Sequence, residues 1–399
     1  MELGWLVFVL VIGGCACAAY SLGEVDRGGL RWKAAHYERA MQVRHLRDGG
    51  MVIGGVAFPN LPGWEWEDDE NSAYLTGAYL ASLSFRYAAT GEPEAREQAD
   101  RCATTLKRLV DITGSPGFLA RWYRPVNPQA PEKGWLGKSW STAGEYRWLG
   151  NPSTDQYTGV CFGLSVYYDL AADEQQRQMV AGLAGAMAGR ILEAGMKILD
   201  PEGKPTSWFD MSPETMQEPL YAPVALHLLA VGHQATGEQR FRDAYLELAT
   251  QHDYLGRSVK LPEYTSWNRS DDVMSFESFY TTITQEKDPG IRERLLVALR
   301  ANWEDVRRDG RFLFGVFYDG LVPGAGQAAE AIQELVDYPS HKIEIKGTEA
   351  VPEPVPSWQR SYGWFELMCD TRRRIVGSEQ SGVDYLLAYW MARYHGLIG

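Results

Sequence analysis

Carboxylate and tryptophan residues recur together at five places along the chain, and each place immediately precedes an apolar segment. These runs are Trp64–Asn71, Trp148–Tyr157, Trp208–Glu218, Trp267–Asp272 and Trp358–Glu379. Hydrolysis of a glycosidic bond uses such groups, because one carboxylic acid protonates the leaving oxygen while a second carboxylate activates water or attacks the sugar. The flat faces of Trp and Tyr stack on sugar rings. The residue types therefore predict chemistry on carbohydrates.

Asp155 is the first catalytic candidate, followed by Asp271 and Glu70. Asp155 and Asp271 each stand near the predicted start of a helix, so capping of the first-turn NH groups is the alternative role for both. Glu70 ends the acidic run 67–70, for which a solvated face or a cation site is the alternative. The sequence does not show which carboxylates face each other.

Substrate-binding candidates lie in the same runs and in one long predicted loop. They are Trp66, Asn71, Arg121, Tyr123, Arg124, Trp148, Gln156, Trp208, Trp267, Trp358, Arg360 and Trp364. The alternative for any single aromatic residue is a place in the core. Arg121 and Arg124 could neutralise an anionic sugar, in which case a Tyr could serve in β-elimination by a lyase; an ordinary loop with stacked arginines is the alternative.

Helical hairpin turns recur between the apolar segments. They occupy residues 87–96, 168–177 and 233–240, with a looser copy at 284–292. Gly91 and Gly237 suit the left-handed residue that ends a helix, and Pro93 suits the first turn of the next. Each turn therefore ends one helix and starts another.

The helices predicted around these turns alternate in character. One set is apolar nearly all round and spans about 71–90, 155–171, 215–235, 271–286, 310–319 and 381–395. The other set is amphipathic and spans about 30–48, 93–113, 174–194, 238–254, 289–308 and 323–337. Helices of the first kind belong inside a protein and those of the second kind at its surface. Six inner and six outer helices predict an all-α fold, an (α/α)6 toroid formed by residues 28–399 as a single domain, with an open solenoid as the alternative.

The long loops all lead into the N-terminal ends of inner helices. They span 49–70, 114–154, 196–214, 255–270 and 338–380, whereas the tight turns lie at the other end of the ring. Elaborated loops on one face of a rigid scaffold are where binding sites are usually built. The mouth of the ring on this face is thus the predicted site.

The N-terminus carries an apolar run, Leu3–Ile12, followed by small residues. This pattern predicts a signal peptide or lipoprotein leader over 1–19 and an exported protein: periplasmic, secreted or lipid-anchored at the cell envelope. The segment 12–15 resembles a lipobox that would lipidate Cys15, whereas residues 17–19 suit an ordinary signal peptidase. An uncleaved anchor remains the third interpretation, since Glu2 is the only charged residue before the apolar run.

The composition limits the partners. The formal net charge of −13 argues against nucleic acid or an anionic membrane surface as the main partner, which leaves a membrane role only for the N-terminal segment. Cys102, Cys161 and Cys369 are far apart and are predicted to be buried free thiols. His227 and His233 fall on different helix faces, and no HExxH occurs. We therefore predict neither a metal nor a cofactor.

Three segments resemble a group of exported bacterial proteins in the six-hairpin glycosidase-like toroid superfamily. They are Asn71–Tyr87, Ser153–Gly163 and Gly382–Gly396, and the resemblance extends over about 30–399. It implies an (α/α)6 toroid with its site in the mouth, in a superfamily that includes glycoside hydrolases, polysaccharide lyases and epimerases. The first segment departs from the group, whose first inner helix starts Asp-Gly-Leu-Trp-Thr where this chain has Asn71-Ser-Ala-Tyr-Leu-Thr.

We therefore expect a carbohydrate-active enzyme, a glycoside hydrolase ahead of a polysaccharide lyase. A non-catalytic glycan-binding surface protein is the main alternative, and a partner-binding helical scaffold is the third. Resemblance of this kind fixes the fold better than the reaction.

Overall fold

The computed structural model of the protein describes residues 29–57, 67–68, 70–126, 140–214, 220–260, 269–307, 312–338, 343–345 and 376–399. The predicted leader, residues 1–19, lies outside these ranges. Within them, no helix is long and apolar enough to cross a membrane. Cys102 and Cys161 are buried free thiols, as predicted, and Cys369 lies outside the described residues.

Thirteen helices form the described part of the chain. They are α1 (29–40), α2 (Ser72–Thr90), α3 (Pro93–Asp111), α4 (Thr154–Leu170), α5 (Glu174–Glu193), α6 (Tyr221–Thr236), α7 (Gln239–Leu246), α8 (Tyr254–Arg257), α9 (Arg269–Gln285), α10 (Pro289–Val306), α11 (Phe312–Leu321), α12 (Ala328–Asp337) and α13 (Val383–Tyr394). A π-helical turn extends α1 over Met41–His45, and another extends α7 over Glu247–Gln251. Apart from the short α8, these are the twelve helices that the sequence predicts. Most ends agree within three residues, whereas α6 begins at Tyr221 rather than at 215 and α12 at Ala328 rather than at 323.

The hairpin turns have the geometry that their residues predict. Gly91 and Gly237 end α2 and α6 in the left-handed region, at φ 71° and 70°. Pro93 starts α3, and the Asp173 carboxylate caps α5 by accepting a hydrogen bond from Gln176 N at 3.1 Å. Either feature, a left-handed residue at a helix end or a carboxylate cap at a helix start, lets the chain reverse within a few residues. Each turn therefore returns the chain as an outer helix against the inner helix that it ends.

The six inner helices form a closed ring in the order α2, α4, α6, α9, α11 and α13, with α13 packed against α2. The first outer helix completes the wall at the junction. The Tyr385 hydroxyl of α13 donates to the carbonyl of Leu30 in α1 at 3.0 Å, and Lys33 donates to the carbonyls of Leu335 and Val336 in α12. The all-α toroid is thus confirmed, and the open solenoid is not formed.

Aromatic side chains fill the ring toward the C-terminal ends of the inner helices. Tyr280 of α9 lies at the centre of this cluster, with ring centroids 5.7 Å from Phe85, 6.0 Å from Phe162, 5.9 Å from Phe317 and 5.8 Å from His395. These partners come from opposite sides of the ring, so the cluster closes the lumen at the end that carries the tight turns. The polar residues at the N-terminal ends lie above it.

Short strands occur only in the loops that lead into inner helices, within the described residues. The sheets are β1 (Leu46–Arg47) with β2 (Met51–Val52); β3 (Gly55–Ala57) and β4 (Glu67–Asp68) with β10 (Ile343–Ile345) and β11 (Val376–Gln380); β5 (Trp122–Pro125), β6 (Trp140–Ala143) and β7 (Tyr146–Leu149); and β8 (Lys197–Leu199) with β9 (Pro205–Asp210). All pairs are antiparallel. Because β11 pairs with β3, the loops before α13 and α2 are joined, which ties the ends of the ring together on the mouth side.

Candidate functional site

Asp155 lies in the first turn of α4, on the mouth side of the ring. The N-cap of this helix is Ser153, whose backbone NH donates to Gln156 Oε1 at 2.9 Å. Ser153 rather than Asp155 therefore occupies the N-cap, which was the alternative to a catalytic role for Asp155. Only 9 % of the residue is exposed.

Both oxygens of Asp155 are held by neighbouring side chains. The Ser153 hydroxyl donates to Oδ1, and Gln156 Nε2 donates to Oδ2 at 2.6 Å. The same Gln156 nitrogen donates to Asn71 Oδ1 at 2.8 Å, at the start of α2. The orientation of the Gln156 amide is thus fixed by three partners. Asp155 and Asn71 lie on either side of it, on the first turns of two neighbouring inner helices.

Arg121 joins the approach to α2 to the approach to α4. Its Nε donates to the carbonyl of Asn151 at 2.9 Å, its Nη1 to the carbonyl of Glu70 at 3.3 Å, and its Nη2 to Ser153 Oγ at 2.6 Å. Only 5 % of the residue is exposed. Burial lowers the pKa of the guanidinium, against the opposing charges of Asp155 and Glu70. Arg121 therefore acts within the protein, as a buried cation that holds two loops.

A second carboxyl group, Glu277 of α9, lies close enough to Asp155 for the charge of Asp155 to raise its pKa. The Tyr74 hydroxyl of α2 donates to its Oε1 at 2.8 Å. Glu277 is fully buried, and its Oε2 has no hydrogen-bond partner in the described part of the chain. Tyr74 and Glu277 thus form a buried pair next to the Asp155 network.

Burial raises the pKa of Glu277 to about 8, and the nearby charge of Asp155 raises it further, whereas the hydrogen bond from Tyr74 opposes the shift. Glu277 is therefore protonated at neutral pH. Burial and the charge of Glu277 also raise the pKa of Tyr74 well above its usual value, so the phenol keeps its proton and acts as a donor. Because Oε1 accepts that hydrogen bond, the acidic proton of Glu277 resides on Oε2.

Glycines bring α2 and α4 close enough to place these groups. A Cβ at Gly77 would lie 2.1 Å from the carbonyl oxygen of Gly159, and one at Gly163 would lie 2.2 Å from that of Gly77. A Cβ at Gly159 would lie 2.3 Å from the Tyr74 ring. The ring of Tyr74 thus lies directly on the α4 backbone, which directs its hydroxyl toward Glu277.

The other two catalytic candidates lie in the approaches to inner helices. Glu70 is half-buried just before α2, and Arg121 binds its backbone carbonyl. Asp271 is half-buried in the first turn of α9, where its carbonyl accepts from the Ser275 hydroxyl. Beside it, the buried Asp272 pairs with Lys260 at 2.6 Å. The structure thus joins Glu70 to the Asp155 network through Arg121 and places Asp271 on the helix that carries Glu277.

The remaining binding candidates fall into two groups. Some lie in or near the sheet of β5, β6 and β7, and the others lie outside the described residues. Tyr123 is fully buried with Arg108 4.6 Å from its ring, Arg124 lies 4.6 Å above Trp122, and Trp148 is buried edge-on to Phe118. The structure does not join these three to Asp155 by any described hydrogen bond. Trp66, Trp267, Trp358, Arg360 and Trp364 lie outside the described residues, as does the side chain of Trp208 in β9.

Glu277 was not among the residues selected from the sequence. It falls in the middle of an inner helix rather than at a loop, between Phe276 and Ser278. The signal that could have found it is a carboxylate in the apolar and hydroxylic stretch that follows Asp271 and Asp272 in α9. An ionisable group there must be buried, and its pKa must shift.

Among the described residues, no three or more His, Cys, Asp or Glu side chains lie together in a group that could hold a metal ion. His227 of α6 is fully buried, lies 3.3 Å from the Thr158 carbonyl through Nε2, and burial lowers its pKa to about 4. It is therefore a neutral imidazole in the wall between α4 and α6.

Solved structures share this fold along nearly the whole chain. A sugar epimerase from a ruminal bacterium is 11 % identical, covers 93 % of this chain and 99 % of its own, and has a TM-score of 0.53. A family 76 glycoside hydrolase from a bovine Bacteroides thetaiotaomicron strain is 10 % identical, with 92 % and 77 % covered and a TM-score of 0.52. An unsaturated glucuronyl hydrolase specific for heparin is 10 % identical, with 94 % and 98 % covered and a TM-score of 0.51.

No protein-family model and no curated protein sequence matches the chain. At identities of 10–11 %, the structural likeness confirms the six-hairpin toroid, and the reaction must be argued from the site.

Proposed function

We propose that the protein is a carbohydrate-active enzyme, a glycoside hydrolase that cleaves a polysaccharide or oligosaccharide in the mouth of the toroid. The observation that carries this proposal is a fully buried carboxyl group, Glu277, whose pKa is raised to about 8 by burial and also by the charge of Asp155. Two carboxyl groups whose environments separate their protonation states are the requirement for this reaction. Hydrolases among the solved structures of the same fold support the proposal.

Glu277 acts in this scheme as the general acid. Because Oε2 is buried in the structure, the scheme requires the bound sugar to displace the side chains that cover it. Oε2 then gives its proton to the glycosidic oxygen as the bond to the anomeric carbon breaks, and the hydrogen bond from Tyr74 to Oε1 stabilises the carboxylate that remains. The charged Asp155 takes a proton from the attacking water or attacks the anomeric carbon itself. The anomeric configuration of the product distinguishes these two routes.

The lyase alternative has less support. β-Elimination needs a base to remove a ring proton and a cation to stabilise the sugar carboxylate. Tyr74 is the tyrosine of this site, and its raised pKa makes it a poor base. Arg121 is buried and donates from all three nitrogens to the protein.

The test is mass spectrometry of the products after the protein without residues 1–19 is incubated with neutral and uronic-acid polysaccharides. Fragments that have gained water are expected, and Asp155→Asn and Glu277→Gln should each reduce their formation by at least about a hundredfold. Glu286→Gln is the matched control, because Glu286 is a buried carboxylate paired with Arg242 at the opposite end of the ring. Unsaturated fragments, or binding without any product, would refute the hydrolase.

Two further proposals concern the domain organisation and the export of the chain. We infer that residues 28–399 form one domain, and that the segment 1–19 directs export to the periplasm, the cell envelope or the medium. The apolar run and the small residues after it support the second point. Fractionation of bacteria that express the full chain tests it: a protein kept in the cytoplasm would contradict export, and loss of membrane association in Cys15→Ser would identify a lipid anchor.

A further inference from the structure

We propose, building on the proposed hydrolase, that this site takes an uncharged sugar and discriminates against uronic-acid residues. The sugar unit in question is the one bound next to Asp155. The inference rests on which hydrogen-bonding groups remain for a ligand there and on the sign of the charge that they carry.

Asp155 and Asn71 present an acceptor and a donor side by side. Gln156 holds both, through Asp155 Oδ2 at 2.6 Å and Asn71 Oδ1 at 2.8 Å. The Asn71 amide oxygen is thus used, and its Nδ2 has no hydrogen bond to any described residue. Both residues retain a small exposed area, 9 % and 8 %. Adjacent hydroxyl groups of a sugar ring match this pair, because one can donate to the carboxylate while the next accepts from the amide.

Arg121, the one arginine that the described part of this network contains, uses its side-chain nitrogens within the protein. Arg121 donates to the carbonyls of Asn151 and Glu70 and to Ser153 Oγ, and 5 % of it is exposed. A protein that recognises a carboxylate usually presents a guanidinium with two free parallel NH groups. The donors of Arg121 are directed instead at the two loops that it joins, so Arg121 does not offer this partner to a sugar carboxylate.

The charge of the site opposes an anionic ligand. In the described network the carboxylates of Asp155 and Glu70 outnumber the one guanidinium that opposes them, Arg121, and Glu277 contributes a neutral acid at neutral pH. A uronate bound next to Asp155 would place two negative charges within a few ångströms in a partly buried region, where their repulsion is weakly screened. We expect this to weaken binding by on the order of tenfold to a hundredfold relative to the uncharged sugar.

The experiment compares matched polymers by isothermal titration calorimetry. The ligands are oligosaccharides prepared from mannuronan, polygalacturonate and polyglucuronate. Each is paired with its carboxyl-reduced product, which differs only in the charged group. The titrations use Glu277→Gln, so that the ligand is not cleaved. In every pair that binds, the reduced member is expected to bind at least about tenfold more tightly. Asp155→Asn in the same background should narrow that difference, and so should a higher salt concentration.

The outcomes separate this inference from the hydrolase. Equal or tighter binding of the uronic-acid member overturns the inference, as does failure of every oligosaccharide in the panel to bind. A preference for the reduced members without hydrolysis by the native protein would refute the hydrolase and leave the inference standing. Hydrolysis of a uronic-acid polymer in preference to its reduced form would keep the hydrolase and overturn the inference.

Discussion

Residue scale: the Tyr74 hydroxyl determines which oxygen of Glu277 carries the acidic proton. The bond at 2.8 Å favours the ionised form of Glu277, so it lowers a pKa that burial raises. Tyr74→Phe removes the donor, and the pKa of Glu277 should rise above about 8. If Glu277 is the general acid, the alkaline limb of the pH–rate profile moves to higher pH while the maximal rate falls.

The control for this prediction is Tyr79→Phe on the same helix, because Tyr79 is another fully buried tyrosine that donates to a carboxylate, Glu38. Its variant should lose stability without moving the alkaline limb. An alkaline limb that stays in place or moves to lower pH in Tyr74→Phe would contradict the role given to Tyr74.

The buried Glu277 also makes the stability of the protein depend on pH, independently of any substrate. Its pKa is near its ordinary value of 4.5 in the unfolded chain and about 8 in the folded protein, so the folded state binds more protons between these values. Its contribution to the free energy of unfolding is therefore fully present below pH 4.5 and falls as the pH rises toward 8, by up to about 1.4 kcal/mol per pH unit. Glu277→Gln should remove this slope.

Urea denaturation of both proteins across this pH range measures the difference, and Glu286→Gln is again the control. The pKa of Glu286 is lowered by Arg242, so its variant should not remove the loss of stability above pH 4.5. If the free energy of unfolding depended on pH in the same way in the native protein and in Glu277→Gln, Glu277 would not be buried in its neutral form.

The sequence located part of this site and missed part of it. Asn71, Arg121, Asp155 and Gln156 come from three separate segments. Residue type together with a place in a loop or at a helix start selected all four, and the structure joins them by hydrogen bonds. Glu277 escaped because helix periodicity identifies a buried face but does not show which opposing side chain a residue meets across the ring. Its hydrogen-bond partner Tyr74 is 203 positions away in the sequence.

Element scale: the close crossing of α2 and α4 depends on glycines whose Cα hydrogens touch the other backbone. Gly159→Ala would place a Cβ 2.3 Å from the Tyr74 ring, so the ring or the helix must move. We expect a loss of about 1–3 kcal/mol of stability, as for other overpacked cores, and a larger loss of activity because the Tyr74 hydroxyl moves away from Glu277.

Gly182→Ala on the outer helix α5 is the matched control, since its Cβ would meet nothing within 4 Å and the position is exposed. There the substitution should stabilise the protein by about 0.5–1 kcal/mol through helix propensity. Chemical denaturation of both variants gives the comparison. Similar effects at the two positions would show that the crossing of α2 and α4 is not tight.

The elements themselves were predictable to different degrees. Residues such as Gly91, Pro93 and Gly237 fix helix ends by local backbone geometry, so the hairpins follow from sequence. The strands do not, because segments of two to six residues contain too few positions to show a period and are stabilised by pairing with distant loops, as in β3 with β11. The π-helical turns after α1 and α7 leave no pattern in the sequence that we can identify.

Whole-molecule scale: the ring closes where the first and last helices meet, and Glu38 of α1 is the polar group at that junction. Its Oε1 accepts from Trp390 Nε1 of α13 at 3.1 Å and its Oε2 from the Tyr79 hydroxyl of α2 at 2.8 Å, with Arg86 Nη1 at 3.5 Å. Burial raises the pKa of Glu38, against the charge of Arg86. Three helices distant in sequence thus converge on one buried carboxyl group.

Glu38→Ala should therefore destabilise the whole ring rather than its N-terminus alone. It leaves the donors of Tyr79 and Trp390 buried and Arg86 without its inner partner, which costs about 3–5 kcal/mol for a buried ionic group. Glu92→Ala is the control, because Glu92 binds the same Arg86 at 2.6 Å from a side chain that is 39 % exposed, and such pairs contribute about 1 kcal/mol or less.

Calorimetry distinguishes a closed ring from a chain of independent hairpins. In a closed ring every inner helix has two neighbours, so weakening the junction should shift a single unfolding transition to lower temperature. An open array would lose α1 and α13 in a separate early step, because its repeats contact only their nearest neighbours. A second, low-temperature transition in Glu38→Ala, with the main one unchanged, would show that closure contributes little to the stability of the toroid and that the mouth does not depend on it.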